Sequence, residues 1–130
     1  MNEISVGAII FHGHNVLLIH QKHGDHIGFP KGHLEDHETP IMTALREVYE
    51  EVGLHVTLSE ITYDIFYEPK PNVLKKVTYY LAYTNETHVT IQTSEIHQAY
   101  WVNTQNALKQ LTYQNDQEAL RYMLLKSKEE

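Results

Sequence analysis

The segment from Thr39 to Gly53 constrains the fold of this chain more than any other. Thr39 can cap a helix, and Pro40 suits its first turn, where proline's missing N–H would go unpaired in any case. Gly53 is a natural stop, because glycine adopts the left-handed capping conformation without steric cost. Between them Ile41, Ala44, Leu45, Val48 and Val52 fall at offsets 0, 3, 4, 7 and 11. On a 3.6-residue period these make one apolar stripe, which predicts a helix to about Val52 packed on a core. The polar face carries Glu47, Glu50 and Glu51, spaced i, i+3 and i+4, so three carboxylates stand side by side.

Strands flank this helix. Ile4 to Phe11 and Val16 to Gln21 read as a hairpin around His12-Gly13-His14-Asn15, and Gly7 suggests a close backbone approach. His23 to Leu34 reads as a loop around a short extended piece. Val56 to Leu58, Ile61 to Tyr67 and Val73 to Tyr83 read as strands, the last two joined by a turn at Pro69-Lys70-Pro71-Asn72. Short strands are expected at Val89-Thr90-Ile91 and Tyr100-Trp101-Val102. From about Thr104 the pattern is helical. The 130 residues suit one domain, residues 1–130, of mixed α/β character.

Composition narrows the function classes. A hydrophobic share of 42% and a charged share of 21% are ordinary for a globular chain. No apolar run approaches the ~20 residues of a spanning helix, and Met1-Asn2-Glu3-Ile4 does not begin a signal peptide, so no membrane role is expected. The absence of cysteine excludes a disulfide framework, a thiolate metal site and a cysteine nucleophile, and fits a cytoplasmic setting. A net charge of −7 argues against stable nucleic-acid binding, which rests on Lys and Arg neutralising phosphates. A small polyphosphate remains a suitable partner if the site supplies local cations.

The three glutamates point to such a cation. Like charges about 4 Å apart repel by roughly 4 kcal/mol at an effective dielectric of 20. A hard divalent ion converts that repulsion into binding, and oxygen-only ligands favour Mg²⁺ or Mn²⁺ over zinc. The flanking residues sharpen this. Gly32, Glu38, Arg46, Glu47, Val48, Glu50, Glu51, Gly53 and Leu54 fit the spacing G-x5-E-x7-R-E-U-x-E-E-x-G-U, with U a bulky aliphatic residue. This box, residues 32–54, resembles the signature of the Nudix (MutT-like) hydrolases at every defined position. The resemblance implies an α+β fold: an α/β/α sandwich whose mixed sheet carries the catalytic helix on one side and C-terminal helices on the other. It also implies Mg²⁺-dependent cleavage of a phosphoanhydride bond.

Within the box, Gly32 lets the loop approach the metal and offers a carbonyl ligand beside Glu47, Glu50 and Glu51. Glu38 and Arg46 are expected to brace loop against helix, with Arg46 also orienting the carboxylates. Lys31 and His33 flank Gly32, where they could meet phosphate oxygens.

Three further stretches make the chain similar to the asymmetrical diadenosine tetraphosphate hydrolases: Gly28 to Glu35, Lys76 to Ala82, and Ser94 to Val102 with Ala107-Leu108 and Leu111 to Asn115. That branch often has an aromatic, commonly Trp, just before Phe-Pro-Lys-Gly. Here the stretch is His26-Ile27-Gly28, which removes one ring that could stack on adenine. Strand alternation puts Tyr79 and Tyr80 on opposite faces, so one of them can line a cleft. Lys75 and Lys76 could meet the polyphosphate. The resemblance implies that Glu95 completes the metal site or acts as base; Glu50 and Glu51 are the other candidates. The expected partner is a small nucleoside polyphosphate, with diadenosine tetraphosphate cut to ATP and AMP. The alternatives are a nucleoside triphosphate pyrophosphatase, an RNA 5′-pyrophosphohydrolase, or a non-catalytic nucleotide sensor, which would not need to keep the acidic residues. The oligomeric state is not legible.

Overall fold

The computed structural model describes residues 2–129. In chain order, β1 (Asn2–His12), β2 (Asn15–Gln21), β3 (Ile27–Gly28) and β4 (Lys31–His33) precede α1 (Pro40–Val52). β5 (Thr57–Lys70), β6 (Val73–Tyr83) and β7 (Ile96–Asn103) follow, then α2 (Thr104–Gln110) and α3 (Gln114–Ser127). The sheet runs β3-β2-β1-β6-β5, with β4 also on β1 and β7 also on β2. It is mixed, because β1 and β6 are parallel over Asn2↔Leu74 to Phe11↔Tyr83 while the other pairs are antiparallel.

The β1–β2 hairpin is paired only next to its turn, at Phe11↔Val16 and His12↔Asn15. Beyond that the strands part. β1 takes β4 along Ser5↔His33 to Gly7↔Lys31, and β2 takes β3 and β7. Gly7 permits this: a Cβ there would lie 2.0 Å from the Pro30 carbonyl oxygen. The parting therefore lays the Lys31–His33 strand on β1 beneath α1.

Side chains alternate across the sheet and give it two covered faces. Ile9, Phe11, Leu18, Val77 and Leu81 pack with Ala107, Leu111, Ala119, Leu120 and Met123 of the C-terminal helices and their connection. Ala8, Ile10, Leu17, Ile19 and Ala82 pack with Val48, Val52 and Leu54 at α1. The α+β sandwich expected from the sequence is the observed arrangement. Each fully buried Leu, Ile or Val contributes about 1.5–3 kcal/mol of transfer free energy. Among the described residues, no helix is long and apolar enough to cross a membrane.

Several element expectations change. The helix ends match: Thr39 accepts from the Met42 N–H, and Gly53, at φ 71°, donates its N–H to the Tyr49 carbonyl. The buried face is rotated, however. Thr43, Ala44, Val48, Glu51 and Val52 are buried, whereas Ile41 and Leu45 are 51% and 40% exposed. Docking on the β1 and β4 side turns Glu51 inward and leaves Ile41 and Leu45 in a shallow groove with Val56, Leu58 and Tyr80.

The two strands expected at 56–58 and 61–67 are one, β5. Its register shifts between Leu58 and Thr62, and the Ser59 hydroxyl accepts the Ile61 N–H, so a bulge absorbs the extra residues. Val89–Ile91 is not a strand; the Thr90 N–H bonds to the Val52 carbonyl instead. β7 starts earlier than expected because β2 offers it partners from Asn15 to Gln21. The terminal helical region breaks at Leu111–Tyr113, where Thr112 exchanges hydrogen bonds with Ile27.

Candidate active site

The acidic face of α1 forms one wall of a cleft of about 360 Å³ lined by Gln21, Lys31, Gly32, His33, Glu35, Glu47, Glu50, Glu51, Gln92 and Glu95. Gly32 closes the distance to the helix. A Cβ at that position would lie 2.0 Å from both Cδ and Oε2 of Glu47, so glycine leaves that space to the Glu47 carboxylate.

Arg46 holds the loop to the helix. Its Nε donates to Glu38 Oε2 (2.6 Å) and its Nη2 to Glu38 Oε1 (2.9 Å), a two-pronged pair of the strong kind. Nη2 also donates to the His33 carbonyl (3.1 Å), while Nη1 reaches Glu47 Oε2 (3.0 Å) and Glu50 Oε1 (3.1 Å). The Thr43 hydroxyl adds a bond to Glu38 Oε1 (2.8 Å). With these donors, Arg46 foremost, the Glu38 carboxyl is pulled down to about 2, and Arg46 is pushed above its usual range. These contacts tie the loop to the helix and bring Arg46 against two of the three helix carboxylates.

Glu51 is the outlier of the three acids. It is 5% exposed, next in the helix to buried Val48 and Val52. Lys31 N–H donates to its Oε2 (3.2 Å), but Oε1 is buried without a hydrogen-bond partner. Burial, then repulsion from Glu47, raises its carboxyl to about 8. Glu47 is raised as well, first by burial, with the Arg46 charge opposing. Among the described residues, no three His, Asp or Glu side chains stand ready-arranged as a metal cage. The donors nonetheless fit a hard divalent cation. They are oxygen atoms, their like charges raise one another, and an orphaned buried carboxylate oxygen costs about 1–3 kcal/mol unless a partner meets it.

Glu95 joins the same cleft through the loop before β7. The Gln92 N–H bonds to the Glu51 carbonyl (3.0 Å) and Glu95 N–H to the Gln92 carbonyl (3.0 Å), tying this loop to the end of α1. Gln21 and Gln92, also in the cleft, carry no sequence signal beyond polarity at a strand end and in a loop.

A second cleft, also about 360 Å³, lies beside the first and is lined by His26, Lys31, Ile65, Tyr67, Val77, Tyr79, Tyr113, Gln114, Asn115 and Asp116. Lys31 belongs to both. Its charge lowers the pKa of Lys75, after burial, and so marks Lys75 as its neighbour.

Here the substrate-binding candidates divide. Tyr79 is on the cleft face of β6, but it is wholly buried in the floor, its hydroxyl donating to Asp116 Oδ1 (2.9 Å). It therefore offers no open ring face. Tyr80 and Lys76 are on the other face of β6: Tyr80 lines the groove with Ile41 and Leu45, and Lys76 Nζ is 3.9 Å from Asp64 Oδ2. Neither lines either cleft, because alternation along β6 sends even-numbered side chains to the α1 side. The open rings are Tyr67 and Tyr113, 37% and 52% exposed, with His26 5.4 Å from Tyr113 between ring centroids. Tyr67, on β5 opposite Lys75, and Tyr113, ahead of α3, were not singled out by the sequence pattern.

A model of the NUDIX domain matches residues 1–123. The asymmetrical bis(5'-nucleosyl)-tetraphosphatase of Mus musculus is 33% identical over 78% of this chain and 79% of the mouse protein. An 8-oxo-(d)GTP phosphatase of Mycolicibacterium smegmatis is 32% identical over 82% of this chain, which spans only 32% of that longer protein. Among solved structures, the Ap4A hydrolase of C. elegans in a binary complex superposes with a TM-score of 0.87 at 25% identity, covering 98% of this chain and 99% of the other.

Proposed function

This chain belongs to the Nudix hydrolase family, and on that premise we propose that it hydrolyses diadenosine tetraphosphate asymmetrically to ATP and AMP with Mg²⁺ as cofactor. The observation that carries this reading is the position of Lys31, shared by an acidic cleft and an aromatic one. A substrate with a polyphosphate in the first cleft and a base in the second would span that lysine.

Glu47, Glu50 and Glu51, with the Gly32 carbonyl, would hold the cation, and Mn²⁺ could substitute. When bound, it supplies charge neutralisation and Lewis-acid polarisation of phosphate oxygens. Lys31 places an ammonium against a non-bridging phosphate oxygen, and His33 adds a donor at the rim. Arg46 keeps Glu47 and Glu50 aimed into the cleft. A carboxylate takes the proton of the attacking water; Glu50, Glu51 and Glu95 all line the cleft. Tyr67 and Tyr113 offer stacking surfaces worth about 1–3 kcal/mol per base.

The 8-oxo-(d)GTP phosphatase relative favours a second reading, a nucleoside triphosphate in the same two clefts. Turnover of diadenosine tetraphosphate, 8-oxo-dGTP and 5′-triphosphorylated RNA, with products identified by mass spectrometry, separates the readings. The expected result is ATP and AMP in equal amounts at the highest kcat/KM of the panel. Higher kcat/KM on either of the others would replace the assignment.

A further inference from the structure

One buried acid has no part in this chemistry. Asp116 is 4% exposed, in the first turn of α3, and lines the aromatic cleft. An acid is rarely buried without a partner, because the charged form loses its hydration. Half of this one is accounted for: Oδ1 accepts the Tyr79 hydroxyl at 2.9 Å. Among the described residues, Oδ2 accepts no hydrogen bond, yet it is not sealed away as Glu51 Oε1 is. Gly28 helps to keep it open, since a Cβ there would lie 3.2 Å from Oδ2. Burial raises the carboxyl's pKa, while the Tyr79 hydrogen bond and the Lys31 charge oppose the rise. The pin on Oδ1 fixes the rotation of the carboxyl and so fixes where Oδ2 points.

Resting on the reading above that a base enters this cleft, we propose that Asp116 Oδ2 accepts an N–H from the edge of that base and so makes the 6-amino group of adenine a specificity determinant. Stacking on Tyr67 and Tyr113 discriminates weakly, because every base has a π face. A buried acceptor discriminates strongly, because a base without the matching N–H leaves it unpaired. A carboxylate accepts and does not donate, so it selects for an N–H. Asn115, also in the cleft, can both donate and accept beside it.

The experiment compares, by calorimetry, binding of ATP and of purine riboside 5′-triphosphate, which lacks the 6-amino group, to the full chain. Wild type should bind ATP at least about tenfold more tightly. In Asp116→Asn the Tyr79 hydroxyl still holds the amide oxygen, so an N–H₂ faces the cleft and the preference should fall to near one or invert. Gly28→Ala, which crowds Oδ2 without touching the carboxyl, should also shrink the ratio, and it stands in if Asp116→Asn fails to fold in a melting scan. A wild-type ratio near one, or an unchanged ratio in a folded variant, overturns the inference. Asymmetric cleavage of diadenosine tetraphosphate with a flat base preference would sink this inference alone. Strong adenine preference without cleavage would uphold the inference and sink the reading of the reaction.

Discussion

The two clefts that meet at Lys31 have the same volume and opposite construction. The acidic cleft draws most of its lining from one run of chain, Lys31 to Glu51, folded back on itself and clamped by Arg46 on Glu38. The aromatic cleft is assembled from His26 ahead of β3, from β4, β5 and β6, and from the start of α3, with the Tyr79–Asp116 bond in its floor. A locally built site holds like charges at close quarters because short loops and one helix fix their separation. A site gathered from distant segments can change its rings without disturbing those charges. In a family whose members share a box and differ in substrate, this division lets the reaction stay while recognition drifts.

Substitutions on either side test the division. The largest effect is expected from Glu50→Gln: turnover of diadenosine tetraphosphate should fall about 10³-fold in a steady-state assay, with melting temperature unchanged. Full activity would remove Glu50 from the site. Gly32→Ala drives a methyl into the Glu47 carboxylate, so the magnesium concentration for half-maximal rate should rise by about 10–100-fold. Tyr113→Ala should act differently, raising KM about tenfold while kcat stays near wild type. Equal losses of kcat from Tyr113→Ala and Glu50→Gln would erase the distinction between the clefts.

Glu51 gives a pH signature of the acidic cleft alone. Its carboxyl is raised in the fold from an ordinary 4.5 to about 8, so the fold favours the protonated form. Without added metal, this contribution to stability is complete below pH 4.5 and is lost as pH climbs through 8. Glu51→Gln removes the loss. At about 1.4 kcal/mol per pKa unit, the variant should exceed wild type by a few kcal/mol above pH 8 and by nothing near pH 4, in denaturant melts with EDTA. A difference independent of pH would contradict the burial of an ionisable Glu51. The smallest effect is expected from Lys76→Ala and Tyr80→Phe, which line neither cleft and should change kcat/KM less than twofold.

The same division governs what the sequence makes legible. The α1 caps and the spacing of Glu47, Glu50 and Glu51 are local, and local geometry follows from period and capping chemistry. Rotation of the helix is not local. It depends on where β1 and β2 part, which is why Ile41 and Leu45 read as core and emerge exposed, while Glu51 reads as surface and emerges buried. Glu95 is reached through resemblance, and its physical reason is a backbone tie from Gln92 to Glu51. Alternation separates Tyr79 from Tyr80 but is silent on which face a cleft occupies. Tyr113 lies in a stretch that carries the resemblance and His26 just ahead of another, but His26, Tyr67 and the Tyr113–Asp116 turn come together only through long-range pairing, for which no spacing along the chain is a signal.

The central claim is that Glu47, Glu50 and Glu51 grip a divalent cation, and direct titration of Mn²⁺ by electron paramagnetic resonance, with Mg²⁺ as competitor, tests it most simply. Wild type should bind Mn²⁺ saturably and release it to Mg²⁺, and Glu47→Gln, still folded, should bind at least about tenfold more weakly. Wild-type protein that leaves the Mn²⁺ signal unchanged, or a Glu47→Gln variant that binds as well as wild type, would contradict the account.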